Sequence, residues 1–205
     1  MLAPVKLFLA SSNPGKLREY RALAEASTIP SVSVELELLP NFDSLPAFNE
    51  NAPTFAENAA GKALHYSRLQ EEMVFADDSG LVVPSLGGAP GVHSARYAGE
   101  SATNAQRIEA LLRDMRGKQD KERAAHFVCA IALARKGQAL AVVTDRVDGE
   151  ILQEPRGSGG FGYDQVFYFP ALKKTFAELS PEEKNRHSHR GKAFRKLLAA
   201  LSSML

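Results

Sequence analysis

Five short stretches of the chain combine residue types and spacings that could do chemistry. The first is Ser11-Ser12-Asn13-Pro14-Gly15-Lys16, placed where an apolar run gives way to helical spacing. Unpaired N–H groups at a helix start and the helix dipole favour an anion, Gly15 permits close backbone approach, and Lys16 adds a point charge. An ordinary capped turn with a solvated lysine explains the same residues. The second stretch holds Glu50, Glu57 and Lys62, which read either as ligand groups or as a surface helix with acids at its N-terminus.

The third stretch is Ala76-Asp77-Asp78-Ser79-Gly80. Adjacent carboxylates repel unless a counter-charge is present. Hard oxygen donors just after a strand suit Mg²⁺, which takes one or two carboxylates and leaves its other positions to water and phosphate oxygens. An Asp-rich turn is the competing reading. The fourth, residues 157–164, contains G-x-G-x-x-G, yet Pro155-Arg156 precedes it and a strand-like run, 165–169, follows. A dinucleotide fingerprint should follow a strand and open a helix, so that reading is rejected. A flexible loop displaying Phe161, Tyr163 and Asp164 suits a purine, with a ring face for stacking and a carboxylate for ring N–H groups. A glycine-rich hairpin loop with a core aromatic remains the alternative. The fifth, Lys184 to Lys192, places cations before the last helix, where the dipole opposes them; either an anionic ligand or solvation accounts for them. His65, His93 and His126 read as structural. No Walker A sequence exists, because Gly61-Lys62 and Gly191-Lys192 are both followed by alanine and lack the upstream glycine.

These stretches need elements to position them. Residues 5–10 read as a buried strand, and Asn13-Pro14 as the cap and first position of a helix with Leu17, Tyr20, Leu23 and Ala24 on one side. Residues 32–36 alternate as a strand, 41–53 form a loop, and Thr54 caps a helix bearing Phe55, Ala59, Ala63 and Tyr66. Residues 74–76 form a short strand that ends at the aspartates, and 84–100 are turn-rich. Thr103 caps a helix with Ile108, Leu111, Leu112 and Met115, closed near Arg116-Gly117. Phe127 to Leu133 alternate in a long strand, with a turn near Lys136-Gly137 and a partner strand from Ala139. Residues 192–205 form an amphipathic last helix.

The 205 residues suit one domain, or one split into two lobes. With 44% hydrophobic and 24% charged residues the chain can bury a core. A net charge of +1 supplies no basic field for a nucleic-acid duplex. A lone Cys129 excludes an internal disulfide and a Cys-based zinc site. No apolar run approaches the roughly 20 residues that span a bilayer, and no signal-peptide pattern opens the chain, so a cytoplasmic location is expected.

The order of the stretches is more specific than any one of them. Ser-Ser-Asn-Pro-Gly-Lys, Thr-Phe-Ala-Glu-Asn-Ala, Ala-Asp-Asp-Ser-Gly-Leu, Gly-Ala-Pro-Gly-Val-His-Ser-Ala-Arg-Tyr-Ala-Gly, Gly-Gly-Phe-Gly-Tyr-Asp and Ser-His-Arg-Gly-Lys-Ala follow one another from near Phe8 to the last helix. This series closely resembles the inosine triphosphate pyrophosphatase family. The resemblance implies a single pyrophosphatase domain over 1–205, with a mixed α/β twisted sheet, flanking helices and two lobes around a central cleft. It also implies a Mg²⁺-dependent homodimer that cleaves inosine and xanthosine triphosphates, and their deoxy forms, to monophosphate and pyrophosphate.

Carried over by motif position, Asp78 looks like the central acid that holds metal and helps activate water. Asp77 and Lys16 would assist it, and Glu50 would be a further metal-side carboxylate. Asn13, Lys16 and Lys62 would hold the triphosphate, with Ser11, Ser12, Pro14 and Gly15 completing the turn. Ser79 would contact the nucleotide, and Phe161, Gly162, Tyr163, Asp164, Lys184, His189 and Arg190 would surround the base. Gln165 departs from the proline that relatives usually carry there. A nucleotide-sensing or RNA-binding module without turnover is the rival reading, and a NAD-dependent oxidoreductase a second.

Overall fold

The computed structural model describes residues 4–27 and 33–205; Val32, expected in the second strand, lies outside them. Among these residues a seven-stranded sheet runs in the order β2-β1-β3-β4-β5-β6-β7. Its strands are β1 (Val5–Leu9), β2 (Val34–Leu38), β3 (Met73–Val82), β4 (Ala124–Arg135), β5 (Gln138–Ile151), β6 (Phe167–Phe169) and β7 (Lys174–Thr175). The helices are α1 (Pro14–Glu25), α2 (Phe55–Ser67), α3 (Asn104–Asp114), α4 (Pro181–His187) and α5 (His189–Ser202). β1 pairs in parallel with β2 and β3, while β5, β6 and β7 pair antiparallel, so the sheet is mixed as expected. No helix among the described residues is long and apolar enough to cross a membrane.

The chain divides into two compact units. The first comprises the described residues within Met1–Asp78, Cys129–Asp145 and Arg190–Leu205. Strand alternation sends its side chains to two faces. Leu7, Leu9, Phe75, Cys129, Ile131 and Leu133 meet Leu17, Tyr20 and Leu23 of α1 and Phe194, Leu197 and Leu201 of α5. Tyr20 sits edge-on to Phe75, with ring centroids 5.2 Å apart. Burying each such large side chain contributes about 1.5–3 kcal/mol. On the opposite face Phe8, Val74, Ala76, Ala130, Ala132 and Ala134 meet Ala59, Ala63 and Tyr66 of α2. The alanines on both partners keep this part of the contact close, with Phe8, Val74 and Tyr66 filling the remainder.

The second unit comprises Ser79–Val128 and Arg146–His189. Its core joins Leu81, Ile108, Leu111, Met115, Val147, Ile151 and Val166 to a ring cluster of Phe127, Phe167 and Phe176. Phe127 lies 4.5 Å from Phe167 and 5.8 Å from Phe176 between centroids. Thr103 and Gln106 cap α3 reciprocally, as the Thr103 assignment required.

Several boundaries differ from expectation. β3 runs ten residues and carries Asp77 and Asp78 inside it, not beyond its end. Counter-charges explain this, as described below. Residues 165 and 166 lie in a turn, so β6 begins only at Phe167. The last helix begins at His189 rather than at 192. Lys184, Arg186 and His187 instead close α4, where cations favour the dipole.

Candidate active site

Adjacent residues of a strand point to opposite faces, and this separates the two aspartates. Asp77 follows Phe75 onto the face covered by α1 and α5. It is 1% exposed. Lys16 Nζ donates to its Oδ1 at 2.9 Å, and Arg190 Nε lies 3.5 Å from its Oδ2. Burial alone would raise the Asp77 carboxyl, but Lys16 and Arg190 hold it well below the usual carboxylate range. Arg190, 2% exposed, is fixed from its other side by Glu19, whose Oε2 accepts from Nη1 at 2.7 Å.

Asp78 follows Ala76 onto the α2 face, where Lys16 acts on it only as a minor, more distant charge. Burial pushes its carboxyl up to about 6, opposed by a hydrogen bond from Asn58 and reinforced by the charges of Glu50 and Asp77. Asn58 Nδ2 donates to Asp78 Oδ2 at 3.0 Å. Asn58 was not among the residues expected from sequence. Its signal was available: an asparagine on the apolar side of an Ala-rich helix, one residue before Ala59, must find partners when buried.

The phosphate-type turn forms as the sequence implies. Asn13 Oδ1 accepts from the N–H groups of Gly15 and Lys16 at 2.8 and 3.3 Å, and Pro14 occupies the first helical position. The first turn of α1 carries no acid, although the dipole favours one there; Lys16 stands in its place. Ser11 is buried, and its hydroxyl accepts from Asn13 N at 3.1 Å. Ser11 and Ser12 line a surface cavity of about 460 Å³ with Asn41, Phe42, Asp43 and Ser44. On α2, Lys62 Nζ donates to Glu50 Oε1 at 2.6 Å. Burial works against the Lys62 ammonium, but Glu50, with Asp77 and Asp78 beyond it, holds its pKa above the ordinary lysine value. The first unit therefore gathers Lys16, Glu50, Asn58, Lys62, Asp77, Asp78 and Arg190.

The remaining expected residues belong to the second unit. Of the expected loop aromatics only Phe161 is displayed, at 52% exposure, with Lys184 Nζ 4.5 Å above its ring. Tyr163 is 3% exposed and its hydroxyl donates to Ser94 O at 2.9 Å. The buried Asp164 carboxylate accepts from Phe161 N at 2.8 Å and Lys184 Nζ at 2.6 Å. Tyr163 and Asp164 thus shape the loop from within, against the expectation that both are displayed. A side chain at Gly160 would collide with the Asp164 carboxylate, and φ there is +73°; Gly162, at φ +60°, has open space around it. The Gln165 amide donates to Gly157 O at 3.0 Å, so the departure from proline ties the loop together. His189 is buried and stacks on Phe127 at 4.8 Å. Ser79, on β3, is partly buried. The glycine loop leads into β6 and not into a helix, which removes the dinucleotide-fold reading. A cavity of about 550 Å³ beside α3, lined by Leu112, Arg116 and Pro155 among others, contains none of the expected site residues.

Two carboxylates with nearby lysines, and no cluster of three His, Cys, Asp or Glu side chains suited to a metal among the described residues, exclude a zinc-type cage there. They fit a hard cation that draws most of its ligands from water and phosphate. Fold and site together define a mixed α/β protein with paired acidic and lysine side chains gathered in its first unit. The chain belongs to the Ham1 family, whose model matches residues 7–200. It is 50% identical over 192 residues to the dITP/XTP pyrophosphatase of Geobacillus kaustophilus, covering 94% of this chain and 92% of that one. To the dITP/XTP pyrophosphatase of Desulfotalea psychrophila it is 45% identical, covering 94% and 83%. Its fold is similar to a HAM1 protein from Coxiella burnetii with a TM-score of 0.85 at 40% identity, covering 97% and 99% of the two chains.

Proposed function

We propose that this chain is a nucleoside triphosphate pyrophosphatase that hydrolyses inosine, deoxyinosine and xanthosine triphosphates between the α- and β-phosphates. The products are the monophosphate and pyrophosphate. The reading rests on family membership and on relatives named dITP/XTP pyrophosphatases that match over nearly their full length. The observation in the site that carries it is geometric: Asp77 is paired to Lys16 and Arg190, while its neighbour Asp78 is held by Asn58 beside the Glu50–Lys62 pair.

Each group has a task. Lys16 and the N–H groups at the start of α1 bind phosphate oxygens, and Lys62 adds a second cation to the polyphosphate. Asp77 holds Lys16 extended across the site. Asp78 orients the attacking water and accepts its proton. Glu50 and Asp78 would hold Mg²⁺, which supplies charge neutralisation for the phosphate oxygens. On the second unit Phe161 offers the base a stacking face, and Lys184, His189 and the loop N–H groups favour a 6-oxo over a 6-amino purine. A site built to donate there leaves groups unpaired against adenine, which can discriminate by about 10⁴ or more. Arg190, committed to Glu19 and Asp77, acts on this selection through its neighbours. The family match over most of the chain supports one functional pyrophosphatase domain. A cytoplasmic homodimer completes the proposal.

Incubation with inosine triphosphate and Mg²⁺ in ¹⁸O-labelled water tests it. Labelled products limited to monophosphate and pyrophosphate support the reading. Diphosphate with orthophosphate would mean another bond is cut, and binding without products would favour the sensor alternative.

A further inference from the structure

Asn58 is 1% exposed in the second turn of α2, where asparagine is a poor helix former. A buried amide must be matched on both its oxygen and its nitrogen. Its Oδ1 accepts from Ala52 N at 2.9 Å, and its Nδ2 donates to Ala52 O at 3.4 Å and to Asp78 Oδ2 at 3.0 Å. One side chain thus grips both polar groups of Ala52 and one oxygen of Asp78.

Ala52 lies two residues beyond Glu50, and the loop ahead of Glu50 is fastened to the same helix further along. His65 Nε2 is 2.8 Å from Pro46 O. The Tyr66 hydroxyl accepts from Phe48 N at 3.3 Å. The tip of the Phe48 ring abuts Gly61, where an added Cβ would come within 2.5 Å of its Cζ. That notch gives Gly61 a function that no Walker motif supplies. Glu50 is therefore suspended between two fastenings, Phe48 and Ala52, with its carboxylate on Lys62. Of these fastenings only Asn58 also touches Asp78.

We infer that Asn58 is the positioning residue that sets Asp78 and the Glu50 loop at a fixed relationship, and so assembles the acidic pair for a divalent ion. The inference rests on the proposed reading of this site. It involves no contact with substrate. The bond to Oδ2 fixes the plane of the Asp78 carboxylate, and the two bonds to Ala52 fix the chain two residues from Glu50. Loss of either half separates the two effects.

The test uses the full-length protein with Asn58→Ala and Asn58→Asp. Three readouts are taken: hydrogen exchange of residues 49–53 without metal, calorimetric binding of Mn²⁺ alone, and kcat with inosine triphosphate. Asn58→Ala is expected to speed exchange in 49–53 by tenfold or more, weaken Mn²⁺ binding at least tenfold and lower kcat at least tenfold. Asn58→Asp keeps the shorter bond to Ala52, as acceptor for its N–H, but loses the longer one to Ala52 O and cannot donate to Asp78. Its exchange is expected to stay within about threefold of wild type while kcat still falls at least tenfold. Should Asn58→Ala not fold, the Asp variant carries the decision. Wild-type turnover in Asn58→Asp, or unaltered Mn²⁺ binding in folded Asn58→Ala, overturns the inference. Absence of Mn²⁺ binding and of turnover in the wild-type protein overturns the reading of the site itself and the inference with it.

Discussion

Asp77 and Asp78 are covalent neighbours on β3, yet their carboxyls are displaced in opposite directions from the ordinary aspartate value. Strand alternation causes this, since one side chain meets Lys16 and Arg190, and the other meets Asn58 and feels the charge of Glu50. Repulsion between the pair is thereby relieved without neutralising both. One carboxylate serves as an anchor, and the other is left able to exchange a proton or a ligand.

This asymmetry has a signature in stability. Asp78 binds its proton more tightly in the folded chain, at about 6, than at its unperturbed value of 3.8. Its contribution is fully present below the unfolded value and is lost as pH rises through about 6. Asp78→Asn cannot lose it. In metal-free thermal melts the variant's melting temperature should therefore rise relative to wild type between pH 4 and 7, then level off. A constant difference across that range would remove the assigned shift.

Asp77 behaves in the reverse sense. Its stabilisation exists above the unfolded value and disappears only in strong acid, as pH falls through its depressed folded value. Asp77→Asn leaves Lys16 and Arg190 without their shared anion. Breaking a buried pair in this way costs about 3–5 kcal/mol. Denaturant melts at pH 7 should show that loss, and a change below about 1 kcal/mol would mean the pairing is not formed in solution.

The Asp78→Asn protein should fold and lose turnover. Removal of a positioned general base typically costs 10²–10⁴-fold, so pyrophosphate release from inosine triphosphate should fall by about that range. Wild-type kcat in this variant would take Asp78 out of the chemistry.

Phe161 is the one displayed aromatic of the glycine loop. Loss of one base–aromatic stack costs about 1–3 kcal/mol. Phe161→Ala should raise KM for inosine triphosphate about tenfold, with kcat little changed and the melting temperature unaffected. An unchanged KM would separate this ring from the base.

Much of this architecture was legible in local pattern. Asn13-Pro14 and Thr103 announced their helices because capping is a short-range matter settled by two or three residues. The parallel opening β1-α1-β2 followed from apolar runs separated by helical spacing. The extent of β3 was not legible, because two adjacent aspartates read as a turn until Lys16, 61 residues away, supplies the counter-charge. Arg190 was expected at the base, yet its partners Glu19 and Asp77 lie 171 and 113 positions earlier, beyond any local pattern. Tyr163 was expected on display and is held inward by Ser94, again a long-range contact. Chemistry-bearing residue types could be named from sequence, whereas the direction each side chain faces depended on elements distant along the chain.

A crystal structure of the Asp78→Asn protein with inosine triphosphate and Mg²⁺ is the decisive measurement. The expected result places phosphate oxygens within hydrogen-bond reach of Lys16 and the α1 N–H groups, with the metal beside Glu50. Phosphates bound away from Lys16 and the α1 N–H groups, with no metal beside Glu50, would contradict the assignment.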